Sequence, residues 1–225
     1  MNKSAEIIAI VEGKTEQIFI QSMVSPYLYT KGVYITPIIA SKPGQKGGDI
    51  KFSRIRKDIE LHLKQRSDTY LTLFLDYYGL KRDWPGYLES REKRTSIEKA
   101  NVINFATMDA AKKMFGEYVT GKRFVPYISI HEFEALLFSD PSVLSSHLNV
   151  SESQVTDIVT ACGSPEEIND SQQTAPSKRL LNLSKRFKKT TTGITVANEI
   201  GLKKIRECCP IFNEWLTVIE SIGEG

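Results

Sequence analysis

The sequence predicts an α/β protein: a parallel sheet flanked by helices, followed by a mostly helical C-terminal extension. Three observations predict it. Short β-branched apolar runs alternate with stretches of helical periodicity up to about residue 140. After Asp140-Pro141 the β-like runs stop. Acidic residues stand where the predicted strands end, and in open α/β sheets ligands bind at the carboxyl ends of strands. The predicted boundaries are 1–140 for the α/β domain and 141–225 for the extension packed on it.

Glu6-Ile7-Ile8-Ala9-Ile10-Val11 is apolar on both faces, as a strand buried within a parallel sheet should be. Glu12-Gly13-Lys14-Thr15-Glu16 ends it. From Thr15 to about Tyr29 the pattern is helical, with Ile18, Phe19, Ser22 and Met23 on one face and Pro26 limiting the far end. Gly32 to Ala40 reads as a second strand despite Pro37. Ser41 to Gly48 is a basic, glycine-rich loop. Ile55, Ile59 and Leu63, spaced by four, mark a helix from about Ile50 to Gln65. Tyr70 to Leu75 is the third strand, ended by Asp76. A loop from Tyr77 to Tyr87 precedes a helical region from Ser96 to Tyr118. Phe124 to Ile130 is the fourth strand, and His131-Glu132-Phe133-Glu134 follows it into an apolar stretch ending at Phe138. Residues 142–225 read as helices, with loops at Gly163-Ser164-Pro165 and Ala175-Pro176. No internal repeat or low-complexity tract is present.

Composition narrows the function. With 225 residues, 40% hydrophobic and 25% charged, the chain can bury a full core, which excludes a disordered or disulfide-stapled protein. The three cysteines, Cys162, Cys208 and Cys209, form neither a disulfide framework nor zinc-ligand spacing. No apolar run approaches the roughly 18 residues of a membrane helix. The first residues lack the build of a signal peptide, so the expected location is the cytoplasm. A net charge of +3 does not by itself demand a nucleic-acid partner, so the placement of charge matters more.

That placement is specific. Glu12 follows the first strand, Asp76 the third, and Glu132 and Glu134 the fourth. Carboxylates that converge repel one another and lose hydration. A hard cation such as Mg²⁺ or Mn²⁺ relieves both, and a pair of such ions holds the attacking and leaving oxygens of a phosphodiester. Glu16 lies one helical turn beyond Glu12, although an acid there also reads as an ordinary first-turn partner of the helix dipole. No Walker A pattern is present.

Val11-Glu12-Gly13-Lys14-Thr15-Glu16 resembles the first motif of Toprim domains, found in topoisomerases, primases and Old-family nucleases. Leu73-Phe74-Leu75-Asp76 resembles the end of the strand that carries their second acidic motif. Together with His131-Glu132-Phe133-Glu134-Ala135-Leu136-Leu137-Phe138 and Pro176-Ser177-Lys178-Arg179-Leu180, the chain looks like a small standalone Toprim-like family, domain of unknown function 4276 (DUF4276). That family is often encoded near ATPases in prokaryotic defence loci. The resemblance implies a Toprim-like, Rossmann-like sheet. It also implies that Glu12 binds metal and manages protons, and that Glu16 and Asp76 bind metal. Toprim domains usually place a second acid two residues after the one matching Asp76. Here Tyr78 stands there, which leaves one or two metals open. Glu132, Glu134 or Asp83 would then supply the missing oxygens. The distal lysine of Old-type enzymes is matched to Lys178.

Three further groups carry weight. His131 reads either as a structural histidine or as a phosphate contact. The loop Asp76 to Trp84 mixes aromatics with Lys81 and Arg82, which suits base stacking and phosphate contact, or simple packing. Lys178, Arg179, Lys185, Arg186, Lys188 and Lys189 form a cationic run without an acid, and Lys42, Lys46 and Lys51 add a second group. The expected nucleic-acid contacts are Lys14, Lys42, Lys46, Lys81, Arg82, His131, Arg179, Lys185 and Arg186. The expected catalytic residues are Glu12, Asp76 and Lys178. The metal ligands are Glu12, Glu16, Asp76, Glu132 and Glu134, and the cofactor is Mg²⁺ or Mn²⁺. The function read from this set is a metal-dependent nuclease acting on DNA or RNA, the effector of a prokaryotic anti-phage defence system. The alternative is a non-catalytic nucleic-acid- or nucleotide-binding partner or sensor of an ATPase.

Overall fold

The structure, a computed structural model, describes residues 4–40, 50–168 and 174–224. Lys42 and Lys46 lie outside these residues. A parallel sheet is built from β1 (Ala5–Val11), β2 (Val33–Ile39), β3 (Thr69–Asp76), β4 (Phe124–Val125) and β5 (Ile128–Ser129). Its order is β2-β1-β3-β4, and β5 continues along β3 beyond β4. This is the α/β class that the apolar runs predict, and the carboxyl ends of β1, β3 and β5 point the same way. β1 and β3 are central, and nearly all their side chains are buried. Pro37 is tolerated because β2 is an edge strand, paired only with β1, where a missing N–H breaks no second ladder.

Two elements differ from expectation. The helix after β1 runs to Tyr29, as its pattern predicts, but is not one regular α-helix: it is α1 (Lys14–Phe19), a π-helical turn over Ile20–Val24 and α2 (Ser25–Tyr29). The widened turn accommodates a proline that lacks the N–H an α-helix would use. The fourth strand is not continuous either, because Pro126 splits it into two-residue pieces.

Helix α3 (Phe52–Gln65) buries Ile55, Ile59 and Leu63, the three residues spaced by four. Its carboxyl end is held by Arg123, whose guanidinium donates to the carbonyls of Leu63, Arg66, Tyr118 and Thr69. A short α4 (Tyr87–Ser90) leads to α5 (Ser96–Phe115). A capping box fixes the start of α5: Glu98 N–H donates to Thr95 Oγ1, and Thr95 N–H donates to Glu98.

After β5 a buried 3₁₀ segment, Phe133–Ser139, leads to α6 (Pro141–Leu148), α7 (Glu152–Cys162) and α8 (Pro176–Leu183). Then come α9 (Ile194–Cys208) and α10 (Pro210–Glu220). Among the described residues no strand follows Ser129. Helix α10 packs on the sheet itself. Trp215 stacks on Tyr127 at 5.1 Å and meets Phe74 at 5.2 Å, and Phe212 meets Phe19 at 5.9 Å. Trp215 Nε1 donates to the buried Thr72 Oγ1 at 2.9 Å. The amino end of α10 is held by the buried carboxylate of Glu166, which accepts from Ile211 N–H at 2.8 Å and Phe212 N–H at 2.9 Å. No helix among the described residues is long and apolar enough to cross a membrane.

Candidate active site

β1 and β3 are parallel neighbours with Val11 opposite Phe74, so the chain leaves both strands at one rim of the sheet. There Glu12 Oε2 accepts the Asp76 backbone N–H at 3.4 Å. The turn after β3 leaves room for this carboxylate. A Cβ at Gly79 would lie 2.9 and 3.1 Å from the two Glu12 oxygens, so only glycine permits this approach. Glu16, in the first turn of α1, turns its carboxylate back so that a Cβ on Gly13 would lie 3.3 Å from Oε2. Asp76 Oδ1 accepts the Tyr78 N–H at 2.9 Å. Burial holds the Asp76 carboxyl well above the usual carboxylate range. Glu12 adds to this, as do Glu132 and Glu16 more weakly, while the Tyr78 N–H opposes it. Four acids from three strand ends therefore share one electrostatic neighbourhood.

The residues after β5 build the second half of the site. Glu132 Oε2 accepts the Ser177 N–H of the first turn of α8 at 2.9 Å. Its other oxygen lies 3.4 Å from Lys189 Nζ. Glu134 is 1% exposed, and Lys189 Nζ sits 2.6 Å from its Oε1. Burial pushes the Glu134 carboxyl up to about 7, against the pull of Lys189. Burial alone would depress the Lys189 ammonium, but Glu134 and Glu132 outweigh it and hold the ammonium above the ordinary lysine value.

Residues 11–220 match the family model described as "Domain of unknown function (DUF4276)". The chain belongs to this family. Among solved structures it is similar to the C-terminal region of the Burkholderia pseudomallei OLD protein, at 16% identity and TM-score 0.49, covering 98% of each chain. It is also similar to the C-terminal region of the Xanthomonas campestris pv. campestris OLD protein phased with mercury, at 15% identity and TM-score 0.45, covering 100% of this chain and 98% of that one. A comparison with curated proteins finds no match.

In this DUF4276 chain the other residues singled out in the sequence fall in several places. Lys178 is exposed on α8, and the lysine against the acids is Lys189. Arg179 turns away from the acids, with Nε donating to Thr174 O at 2.9 Å and Nη2 lying 3.9 Å from Cys162 Sγ. His131 is buried and set 2.9 Å from Ser96 Oγ, which together with Ser96 N–H bonds to Glu167. Packed this way, His131 keeps only 4% of its surface exposed. Lys14 donates to Gln17 at 3.0 Å. Asp83 accepts the Ser53 N–H at 3.1 Å near the start of α3. Trp84 is buried and donates to Thr107, whereas Tyr78 stays 48% exposed beside Tyr77. Arg82, Lys185 and Arg186 are exposed, and Lys81 is half-buried.

Oxygen-only donors at the Glu12–Asp76 rim fit a hard divalent cation, because positive charge there offsets both the burial and the Glu12 repulsion that lift Asp76. The residues placed to hold it are Glu12 and Asp76, with Glu16 beside them. Glu132 is already engaged by Ser177 and Lys189, and the charge of Glu134 is met by Lys189. Among the described residues no three His, Cys, Asp or Glu side chains form a ready-made metal cluster.

Proposed function

We propose that this chain is a Mg²⁺- or Mn²⁺-dependent phosphodiester hydrolase acting on DNA or RNA. The observation that carries the reading is the meeting of Glu12 and Asp76 at the carboxyl ends of neighbouring parallel strands, with Gly79 leaving space for the carboxylate. A bound divalent ion would supply positive charge to the phosphoryl oxygens and make a bound water more acidic. Glu12 and Asp76 would hold it, and Glu12 would take the proton of the attacking water. We read Lys189, and not Lys178, as the cation that would face the substrate phosphate. Glu132 and Glu134 orient its ammonium. We read residues 141–225 as an extension of the sheet domain that supplies Ser177 and Lys189 to this site. Exposed Arg82, Lys185 and Arg186 would bind the nucleic-acid backbone. The role of a phage-defence effector working with an ATPase in the cytoplasm belongs to the same proposal and rests on the family resemblance.

A second reading is a non-cleaving nucleic-acid- or nucleotide-binding partner. Tyr78, at the position of the usual second acid, favours it. The test is cleavage of plasmid, single-stranded DNA and total RNA with Mg²⁺ or Mn²⁺, comparing the native chain with Glu12→Gln. Metal-dependent cutting that Glu12→Gln loses supports the hydrolase. Binding without cutting at high protein concentration supports the second reading.

A further inference from the structure

Helices α5 and α10 flank the open edge of the sheet at β4 and leave a groove between them, a cavity of about 840 Å³ floored by Val125 and Pro126. Its walls are apolar stripes. Ile97 and Phe105 stand two turns apart on α5, and Ile211 and Val218 line the α10 side. Phe105 is 76% exposed and Ile97 is 48% exposed, large apolar side chains that nothing among the described residues covers. Among the described residues, the charged ones lining the groove are Glu89, Asp109 and Glu214, all acidic, and of these Asp109 is paired, with Lys113 at 2.7 Å. The chain as a whole carries +3, so this acidic rim is a local exception.

We propose that this groove docks a basic amphipathic helix of a partner protein. Charge complementarity selects the occupant: acids around an apolar floor repel phosphate and favour Lys or Arg flanking apolar anchors. The edge itself selects a helix over an added strand. Pro126 has no N–H to offer a pairing strand, and the next edge donor, Ile128 N–H, is already taken by Asn104 Oδ1 at 2.9 Å. The stripe from Ile97 to Asp109 runs about 18 Å, room for about three helical turns. Anchors at i, i+4 and i+7 would seat between Ile97, Phe105 and Val218 while their basic neighbours meet Glu89 and Glu214.

The probe is a fluorescein-labelled peptide of about 16 residues, with leucines at i, i+4, i+7 and i+11 and lysines elsewhere. A control keeps the leucines and replaces each lysine with glutamate. Fluorescence anisotropy with the full chain should show micromolar binding of the lysine peptide and none of the control. Phe105→Asp should weaken binding at least about tenfold. This variant adds negative charge, so diffuse attraction would strengthen instead. The double variant Glu89→Lys, Glu214→Lys should reverse the preference between the peptides. Equal binding of both peptides, or Phe105→Asp binding like the native chain at an unchanged melting temperature, overturns the proposal. So does a concentration-dependent dimer in light scattering that Phe105→Asp abolishes, since the groove would then belong to a second copy.

Discussion

Replacing Gly79 with alanine separates the geometry of the acidic site from the stability of the fold. The added methyl would stand 2.9 Å from Glu12 Oε2 and 3.1 Å from Oε1, where ordinary contact begins at 3.4 Å. The carboxylate must therefore retreat by about 0.5 Å, the limit of what a productive constellation tolerates. A 1 Å displacement costs on the order of 10²-fold in rate, so half of that should cost about tenfold. The fold should hardly notice. Gly79 is not in the left-handed region, so alanine fits its backbone and gains about 0.4–1 kcal/mol by restricting the unfolded chain. The atoms it crowds are the far end of a flexible side chain. The net change should stay within about 1 kcal/mol, or roughly 2–4 °C in Tm for a chain of this size. Cleavage rate, Mn²⁺ affinity by calorimetry and Tm are the three readouts, and the first two should fall about tenfold while the third holds. Native cleavage and native Mn²⁺ affinity in Gly79→Ala, beside an inactive Glu12→Gln, would refute the placement of Glu12. A fall in Tm beyond about 5 °C would refute the view that the crowded carboxylate simply moves aside.

Two other perturbations follow from buried charge. Lys189→Met leaves Glu134 without its cation. Losing one partner of a buried pair costs about 3–5 kcal/mol, but Lys189 is 45% exposed and water screens part of that, so about 1–3 kcal/mol is expected at pH 8. The deficit should shrink at pH 5.5, where Glu134, at about 7 in the native chain, carries a proton anyway; urea titrations that find it equal at both pH values would contradict this. Glu166 is pushed up to about 7 by burial despite the two N–H groups it accepts, against 4.5 ordinarily. The folded chain then keeps a proton that the unfolded chain has released. Its contribution is complete below pH 4.5 and is lost as pH rises through about 7, up to about 3 kcal/mol. Glu166→Gln should flatten that part of the stability–pH curve measured by chemical denaturation, and an unchanged slope would count against it.

The strands and α3 were legible because local signals and tertiary roles agree there. Ile7 to Val11 is apolar on both faces because β1 is a central strand with both faces buried. Ile55, Ile59 and Leu63 fall on one face because that face meets the sheet. Glu12 and Asp76 were legible for a related reason, since an acid directly after a buried strand has its position set by the sheet. Lys189 was not legible. It sits in a run of cations that look alike in sequence, and only the packing of its turn against the 3₁₀ segment after β5 brings it to Glu134. Lys178 and Arg179 follow the helix-opening Pro176, yet Lys178 is exposed and Arg179 donates to Thr174, while the Ser177 N–H meets Glu132. Pro126 misled, because it divides a strand that its neighbours read as whole.

Tyr78 is where the two readings of function part, and Tyr78→Asp tests them together. Aspartate at this position keeps the backbone N–H that Asp76 Oδ1 accepts, so the turn survives. The side chain is 48% exposed, and its ring rests against Tyr77 at 5.8 Å and His131 at 6.5 Å. Losing those contacts costs about 0.5–1.5 kcal/mol. The new carboxylate would also stand near Asp76, which Glu12 already opposes, so in EDTA the variant should melt lower than the native chain. Mn²⁺ should offset that loss. One more oxygen ligand at the rim, if worth tenfold in affinity, adds about 1.4 kcal/mol of linked stability, or roughly 3–5 °C. The gap in Tm between Mn²⁺ and EDTA should therefore widen in Tyr78→Asp. A gap that stays the same or narrows would show that this turn does not face a cation. If the gap widens and cleavage arises only in Tyr78→Asp, the native chain has the frame of a hydrolase but one acid too few, and the non-cleaving partner becomes the better reading. If the native chain already cleaves, Glu12, Asp76 and Glu16 suffice, and Tyr78 is free to serve as a stacking surface at the edge of the site.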